Sequence, residues 1–410
     1  MISILLYADD VVLFAENEAD MQSLLVIVET WCRNWRLEVN LSKTNILHVR
    51  PKKKQRSCYM FLFNKRTVPY CSSYQYLGCH VNEHLDYDFT AQMQADSAGK
   101  ALSLLITKMI KNGGFPYNVY SLLYKTCVCS VSQYGCEVFG FQQYNSLLKL
   151  HLRAARAFLG LSKNATTYGL ISELDWLMPQ YETRIKMIQY YSRIMNTSST
   201  RLSYQVYKWD RYLHQSLNMK NWTSEIKAIF TENNLEYIFN AQQIFPLKSI
   251  TFEMRKNMQI VQNRFLKTEC GKKPKLRTFM KFKDFESLAP HVGKPLSFLE
   301  RKTISQLRLG MLQLRIETAR YLRPIIPENE RLCYCKSGSV EDEYHAMFDC
   351  NMYTELRANW FHQMNLPDNF ENLVDGDRFK LVLNVPENVR KTAKFLVAMM
   401  DSRQLLNKEY

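Results

Sequence analysis

The sequence predicts an α+β chain: a short stretch of β-hairpins and one helix, then a long, mainly α-helical remainder ending in a small Cys/His module. Three observations carry this. Two apolar runs flank an Asp-containing turn at the start. Apolar residues recur at helical spacing from about residue 92 onward. Cys333, Cys335, His345 and Cys350 gather near the carboxy-terminal end. The expected divisions are 1–91, 92–240, 241–325 and 326–410, in keeping with the usual size of folded domains.

Composition narrows the classes. Hydrophobic residues make up 46% and charged residues 23%, the balance of a folded chain rather than a disordered one. Lys and Arg number 54 against 39 Asp and Glu, a net charge of +15. That excess favours an anionic partner, nucleic acid being the commonest. The opening Met1 to Tyr7 is apolar but lacks the basic start and cleavage site of a secretory signal. With 11 scattered cysteines, an odd number, the expectation is a reducing compartment, nucleus or cytoplasm. Apolar runs such as Leu24–Val28 fall far short of the roughly 18 residues that span a bilayer, so no membrane is expected as partner.

The elements follow in order. Ile2 to Tyr7 and Val11 to Phe14 read as strands around the turn Ala8-Asp9-Asp10. Met21, Leu24, Leu25, Val28, Trp31, Cys32 and Trp35 form one helical stripe, with Glu18 and Asp20 at its positive end. Leu37 to Leu41 looks extended, and Ser42-Lys43-Thr44 breaks it. Tyr59 to Phe63 and Val68 to Val81 read as a hairpin turning near Asn64-Lys65-Arg66. A long helix then presents Leu102, Leu105, Ile106 and Met109 on one face and Lys100, Lys108 and Lys111 on the other, and Gly113-Gly114 ends it. Further helices are expected over 147–161 and 304–320.

Tyr7-Ala8-Asp9-Asp10 is the sharpest chemical signal. Nucleotidyl transfer uses two divalent cations about 4 Å apart. Magnesium and its relatives prefer carboxylate oxygens, and adjacent aspartates on a hairpin turn hold those oxygens at a rigid edge. An Asp-rich turn formed for backbone reasons alone is the plain alternative.

From Leu6 to Phe14 the sequence resembles the catalytic turn of non-LTR (LINE-type) retrotransposon reverse transcriptases. Leu37 to Thr44, ending in Ser-Lys-Thr, is similar to the family's next motif, and Tyr74-Gln75-Tyr76-Leu77-Gly78 to its primer-grip hairpin. Leu123-Tyr124-Lys125, Tyr134 to Glu137, Leu152 to Gly160 and Glu173 to Leu177 resemble segments of the helical region behind the palm. The last 90 or so residues resemble the family's Cys/His segment and tail; 200–300 match loosely.

The resemblance implies a partial polymerase palm followed by a thumb-like helical region, from an RNA-directed DNA polymerase working on an RNA template and a DNA primer or target, with element RNA as partner. It implies that Asp9 binds the catalytic Mg2+ (or Mn2+) and Asp10 assists. Tyr7 would lie by the primer end or nucleotide and Lys43 by the pyrophosphate, while Tyr76, Leu77 and Gly78 brace the primer. Such polymerases also need a metal-binding Asp on a strand upstream of the turn, and only six residues precede Tyr7 here. The expectation is a truncated enzyme, inactive alone; the alternative is a non-catalytic RNA- or DNA-binding remnant.

Two further groups stand out. Lys149, Arg153 and Arg156 line up along one helix, and 251–280 holds eight Lys or Arg against two Glu, among them Lys272, Lys273, Lys275 and Arg277. These stripes suit a phosphate backbone, and the interleaved Phe265 and Phe279 suit base stacking. Cys333, Cys335, His345 and Cys350 form a candidate closed, structural Zn2+ site, although Cys-x-Cys is tighter than the usual two-to-four spacing; free thiols and a surface histidine are the alternative. No Walker loop or Gly-x-Ser-x-Gly element is present, and Asp368, Asp375, Asp377 and Lys380 only faintly suggest a nuclease cluster.

Overall fold

A computed structural model describes residues 3–406. Ile2, where the first expected strand begins, and residues 407–410 of the tail lie outside it. The chain is α+β and divides into two compact units, 1–94 and 95–410. None of the described helices is long and apolar enough to cross a membrane.

The first unit opens on the expected hairpin. Strands β1 (Ile4–Tyr7) and β2 (Asp10–Leu13) pair antiparallel, Tyr7 opposite Asp10, around the two-residue turn Ala8-Asp9. Helix α1 (Glu18–Trp35) starts where Asn17 accepts a hydrogen bond from the Asp20 amide at 2.9 Å, with Glu18 and Asp20 in its first turn. Its apolar residues do not make one buried stripe. Leu25 and Cys32 are buried and Met21 and Val28 pack beside the core, whereas Trp31 and Trp35 join Val26 and Ile27 in solvent.

Leu37 to Asn40 finds no partner strand. Asn40 draws the chain into a turn instead, its side chain accepting from the Ser42 amide at 3.1 Å and hydroxyl at 2.7 Å. Pairing resumes beyond Lys43, where β3 (Ile46–Leu47) runs parallel to a later strand.

The expected long hairpin is two hairpins. Strands β4 (Leu62–Phe63) and β5 (Arg66–Thr67) turn at Asn64-Lys65, as the sequence predicts. The return arm then breaks at Pro69, which has no amide to give a ladder. Strand β6 (Tyr70–Cys71) leaves to pair with β3, and β7 (Ser73–Tyr76) and β8 (Cys79–Asn82) form their own hairpin. Leu25, Ile46, Phe61, Phe63 and Val68 make the core, and Gln22 pins β4 to α1 by bonding both backbone groups of Leu62.

Helix α2 (Tyr87–Lys111) begins in the first unit and ends in the second. Leu102, Leu105 and Met109 are buried as predicted, and Gly113 and Gly114 end it at φ of 71° and 111°. The second unit continues through α3 (Tyr117–Leu123), α4 (Asn145–Leu159), α5 (Thr167–Leu174), α6 (Pro179–Met195), α7 (Leu202–Leu217), α8 (Trp222–Glu232) and α9 (Leu247–Gly271). It ends with α10 (Phe298–Arg308), α11 (Thr354–Gln363), α12 (Asp375–Leu383) and α13 (Val389–Leu406). The helix expected over 304–320 stops at Arg308. Gly310 then takes φ 62° and packs so closely on the Lys275 carbonyl that a Cβ would lie 2.2 Å from its oxygen.

Candidate functional site

The β1–β2 turn exposes both aspartates. Ala8 takes a positive φ of 53°, which suits the primed turns of two-residue hairpins. Asp9 and Asp10 are exposed and in no ion pair, and Tyr7 beside them is 63% exposed. Among the described residues no third His, Cys, Asp or Glu joins them in a metal-holding group.

Lys43 is exposed in the turn after Asn40. Its carbonyl accepts a hydrogen bond from the Tyr74 hydroxyl at 3.2 Å, so this turn and the β7–β8 hairpin are joined. Tyr76 ends β7, and Leu77 and Gly78 form the two-residue turn at φ of 47° and 82°. The tip is braced from α2: buried Gln94 donates to the Gly78 carbonyl at 2.9 Å, and Thr90 to the His80 carbonyl at 2.7 Å. The sequence reading missed both residues; a buried glutamine on a helix facing a Gly turn is the signal that marks them.

In the second unit, two of the three basic stripes meet. Arg153 of α4 donates to the Ser103 hydroxyl of α2 at 2.8 Å and passes Gly99, where a Cβ would sit 3.9 Å from its guanidinium. Lys100, Lys108, Lys111 and Lys149 are exposed and make no ion pair. Arg156 is half-buried with Nε unpartnered, and burial pushes its guanidinium below the usual range.

The third stripe is divided: its last two cations turn into the fold and the rest face solvent. Lys275 meets Glu317 at 2.6 Å and Arg277 meets Glu343 at 2.8 Å, both carboxylates being buried. Lys272 pairs with Glu269 at 2.5 Å and Arg255 with Glu182 at 2.6 Å, whereas among the described residues Lys256, Arg264, Lys267 and Lys273 are exposed and make no ion pair. Phe279 is fully buried in the core and is not a stacking surface; Phe265 is exposed, edge-on to Tyr168. Asp375 and Asp377 pair with Lys281 and Lys380, and among the described residues they join no metal-holding acid group.

The four Cys/His donors come together, their ligand atoms within 4.8 Å of one another. Cys333 and Cys350 sulfurs lie 3.7 Å apart, and Cys335 sulfur lies 3.3 Å from His345 Nε2. A tetrahedral zinc site requires about 3.8 Å between sulfurs and about 3.5 Å between sulfur and nitrogen, so the set fits. The tight Cys-x-Cys is accommodated by a turn with Lys336 and Gly338 at φ of 62° and 78°, closed by the Cys333 amide donating to the Ser339 carbonyl at 2.8 Å. The bond between the thiols of Cys333 and Cys350 lowers Cys350 and raises Cys333. Glu341 anchors the module, its buried carboxylate taking two bonds from Arg403 of α13 at 2.8 and 2.7 Å.

Residues 1–81 match the family model of the reverse transcriptase (RNA-dependent DNA polymerase). Comparison with curated proteins and with solved structures gave no match. The reverse transcriptase match contains the Asp9-Asp10 turn, Lys43 and the Leu77-Gly78 turn, and it stops before the basic helices and the Cys/His module.

Outside that match the sequence reading also passed over the charge centre of the second unit. Glu173 is fully buried, and burial alone would raise its carboxyl. The charges of Arg308 and Lys283 outweigh burial and hold it at about 2. His291, sealed beside it and donating or accepting at Ser305 (3.0 Å), is pushed down to about 3 by burial. Its signal was the lone Glu inside the apolar segment Leu170 to Leu177.

Proposed function

We propose that this chain is part of an RNA-directed DNA polymerase of a non-LTR mobile element. What carries the reading is the pair of unpaired, solvent-facing carboxylates, Asp9 and Asp10, on a hairpin turn within the segment that matches reverse transcriptases. Asp9 is assigned as a magnesium ligand and Asp10 as its assistant. When bound, the cations activate the primer hydroxyl and steady the pyrophosphate. Tyr7 flanks that position, Lys43 offers a positive charge to the leaving group, and Tyr76, Leu77 and Gly78 form the rigid tip against which a primer backbone rests. The free cations of α2 and α4 suit the phosphates of a template–primer duplex. The Cys/His module is a structural zinc knuckle in this reading.

Two carboxylates without a third ligand hold divalent metal weakly. The chain by itself is therefore expected to extend no primer. That same observation favours the second reading, a nucleic-acid-binding remnant without catalysis. Primer extension on an RNA template with magnesium or manganese separates the two. The test uses the chain alone and the chain fused behind a fingers and upper-palm segment that carries an Asp-bearing strand. Extension by the fusion that Asp9→Ala abolishes supports the polymerase. A fusion that binds template–primer without extending it supports the remnant, and extension by the fusion that persists in Asp9→Ala removes the assignment of the turn.

A further inference from the structure

Helix α7 has two apolar faces, and only one is used. Tyr207 is buried against the neighbouring helices, its hydroxyl donating to the Gln242 side chain at 2.5 Å. On the outer side Trp209 is 62% exposed and Tyr212 53% exposed, with Leu202 and Val206 exposed beside them. The two rings are stacked on each other, centroids 5.7 Å apart and planes 28° apart.

The charge around the rings has one sign. Asp210 is the only acid on α7, and it points inward: its carboxylate accepts from the Thr223 amide at 2.8 Å and hydroxyl at 2.6 Å at the start of α8. Lys208 and Arg201 are exposed, make no ion pair, and fall on the outer side at seven-residue spacing, about two helical turns apart.

We propose that the outer face of α7 is a contact for single-stranded nucleic acid, bases stacking on Trp209 and Tyr212 and phosphates meeting Lys208 and Arg201. Exposed aromatics flanked by uncompensated cations are what a flexible strand requires, because every base offers a π-face. A duplex keeps its bases stacked inside and offers these rings nothing. A protein partner is disfavoured by Lys208 at the edge of the patch, since lysine is depleted at protein interfaces. The inference rests on reading the chain as acting on nucleic acid, but it concerns a surface outside the segment that matches reverse transcriptases.

The test is fluorescence anisotropy of the full chain with a labelled oligouridylate and with an RNA–DNA duplex of equal length, at low and moderate salt. The double variant Trp209→Ala/Tyr212→Ala is expected to lose about fivefold or more in single-strand affinity and little in duplex affinity. Trp209→Phe is expected to retain most of it, and Lys208→Gln to flatten the salt dependence. All four side chains are on the surface, and a circular-dichroism melt confirms the fold. Unchanged oligouridylate affinity in the double variant overturns the proposal, as does a native chain that binds no single strand at low salt. A double variant that alters only self-association, read by light scattering, overturns it in favour of a protein-docking face. A Lys100→Gln/Lys108→Gln/Lys111→Gln variant keeps the two ideas apart. If it alone weakens both ligands, α7 is excluded while the polymerase reading stands. If the α7 variants lose single-strand binding and the fusion never extends a primer, the platform stands and the polymerase reading falls.

Discussion

Arg308 grips Glu173 with two nitrogens, Nε to Oε2 at 2.6 Å and Nη2 to Oε1 at 3.1 Å, and both side chains are sealed from solvent. Further bonds from Arg308 to the Leu383 carbonyl at 3.4 Å and the Asn384 side chain at 3.0 Å connect α5, α10 and the end of α12 through one guanidinium, which also sits over the Phe282 ring. Breaking a buried pair from one side leaves a charge uncompensated. Glu173→Gln and Arg308→Met are each expected to destabilise the second unit by about 3–5 kcal/mol, and the double variant by less than their sum. Urea melts of the three variants measure this; an additive double variant would show that the two side chains do not depend on each other.

The same centre sets the acid limit of the fold. Glu173 is held at about 2, below its ordinary 4.5. Its contribution is therefore fully present above about 4.5 and is lost as pH falls toward 2. Burial pushes His291 to about 3 and His151 to about 4 from 6.5. A depressed histidine contributes stability above its unfolded value, and that contribution is lost as pH falls below 6.5. Stability is expected to be flat from pH 8 to 7, to decline from about 6.5, and to fall more steeply below 4.5. His151→Phe should soften the first decline. A profile with no slope between pH 6.5 and 5 would mean that neither histidine is buried neutral.

Stoichiometric zinc is the expectation for the Cys/His module. The 3.7 Å sulfur–sulfur and 3.3 Å sulfur–nitrogen distances need little adjustment to close on a cation. Elemental analysis of purified chain should find one zinc per molecule, and Cys350→Ser or His345→Ala should lose it. Chelation is expected to release hydrogen-exchange protection first over residues 333–339, because Glu341 and Glu343 still tether the following stretch to Arg403 and Arg277. A folded chain with full protection and no metal would leave four free side chains.

How much of this was legible in the sequence depended on the range of the forces involved. The Asp9-Asp10 hairpin, α1 and most of α2 follow from local pattern, caps and turn residues, although α2 starts at Tyr87 rather than near residue 92. The Cys/His cluster was also readable, because its donors lie in one short stretch. The long hairpin was misread because one proline, Pro69, redirects the chain to a parallel partner that pattern alone does not name. Trp31 and Trp35 looked like core by spacing, yet spacing cannot say which of two apolar faces finds a partner. Most consequential were Lys275 and Arg277, whose charges looked free because their carboxylates, Glu317 and Glu343, are far away in sequence.

Leu77 is a strained position. A leucine at φ 47° sits in the left-handed region, where a side chain costs about 1–2 kcal/mol, yet the turn is held by Gln94 at the next residue. Leu77→Asn is expected to raise the stability of the β7–β8 hairpin by about 1 kcal/mol, seen as slower hydrogen exchange over 73–82. In the fused polymerase the same change is expected to weaken primer binding, since the tip loses its apolar contact. A variant that is stabilised and fully active would make Leu77 incidental to the grip.

The two kinds of basic residue should answer mutation in opposite ways. Lys100, Lys108, Lys111 and Lys149 point into solvent without partners, so changing them to Gln should leave stability within about 0.5 kcal/mol. Each should reduce the salt dependence of nucleic-acid binding by up to roughly 0.9 in the slope of log affinity against log salt. Arg277 instead neutralises Glu343, which Thr278 also bonds at 2.9 Å and which burial already biases toward protonation. Arg277→Ala should lower stability by about 2 kcal/mol or more and leave the salt slope unchanged. Melting curves and salt titrations on the same preparations decide the matter. If Arg277→Ala flattened the salt slope and spared the melt, the stripe over 272–277 would be a binding surface after all, and the ion pairs with Glu317 and Glu343 would have to open when nucleic acid arrives.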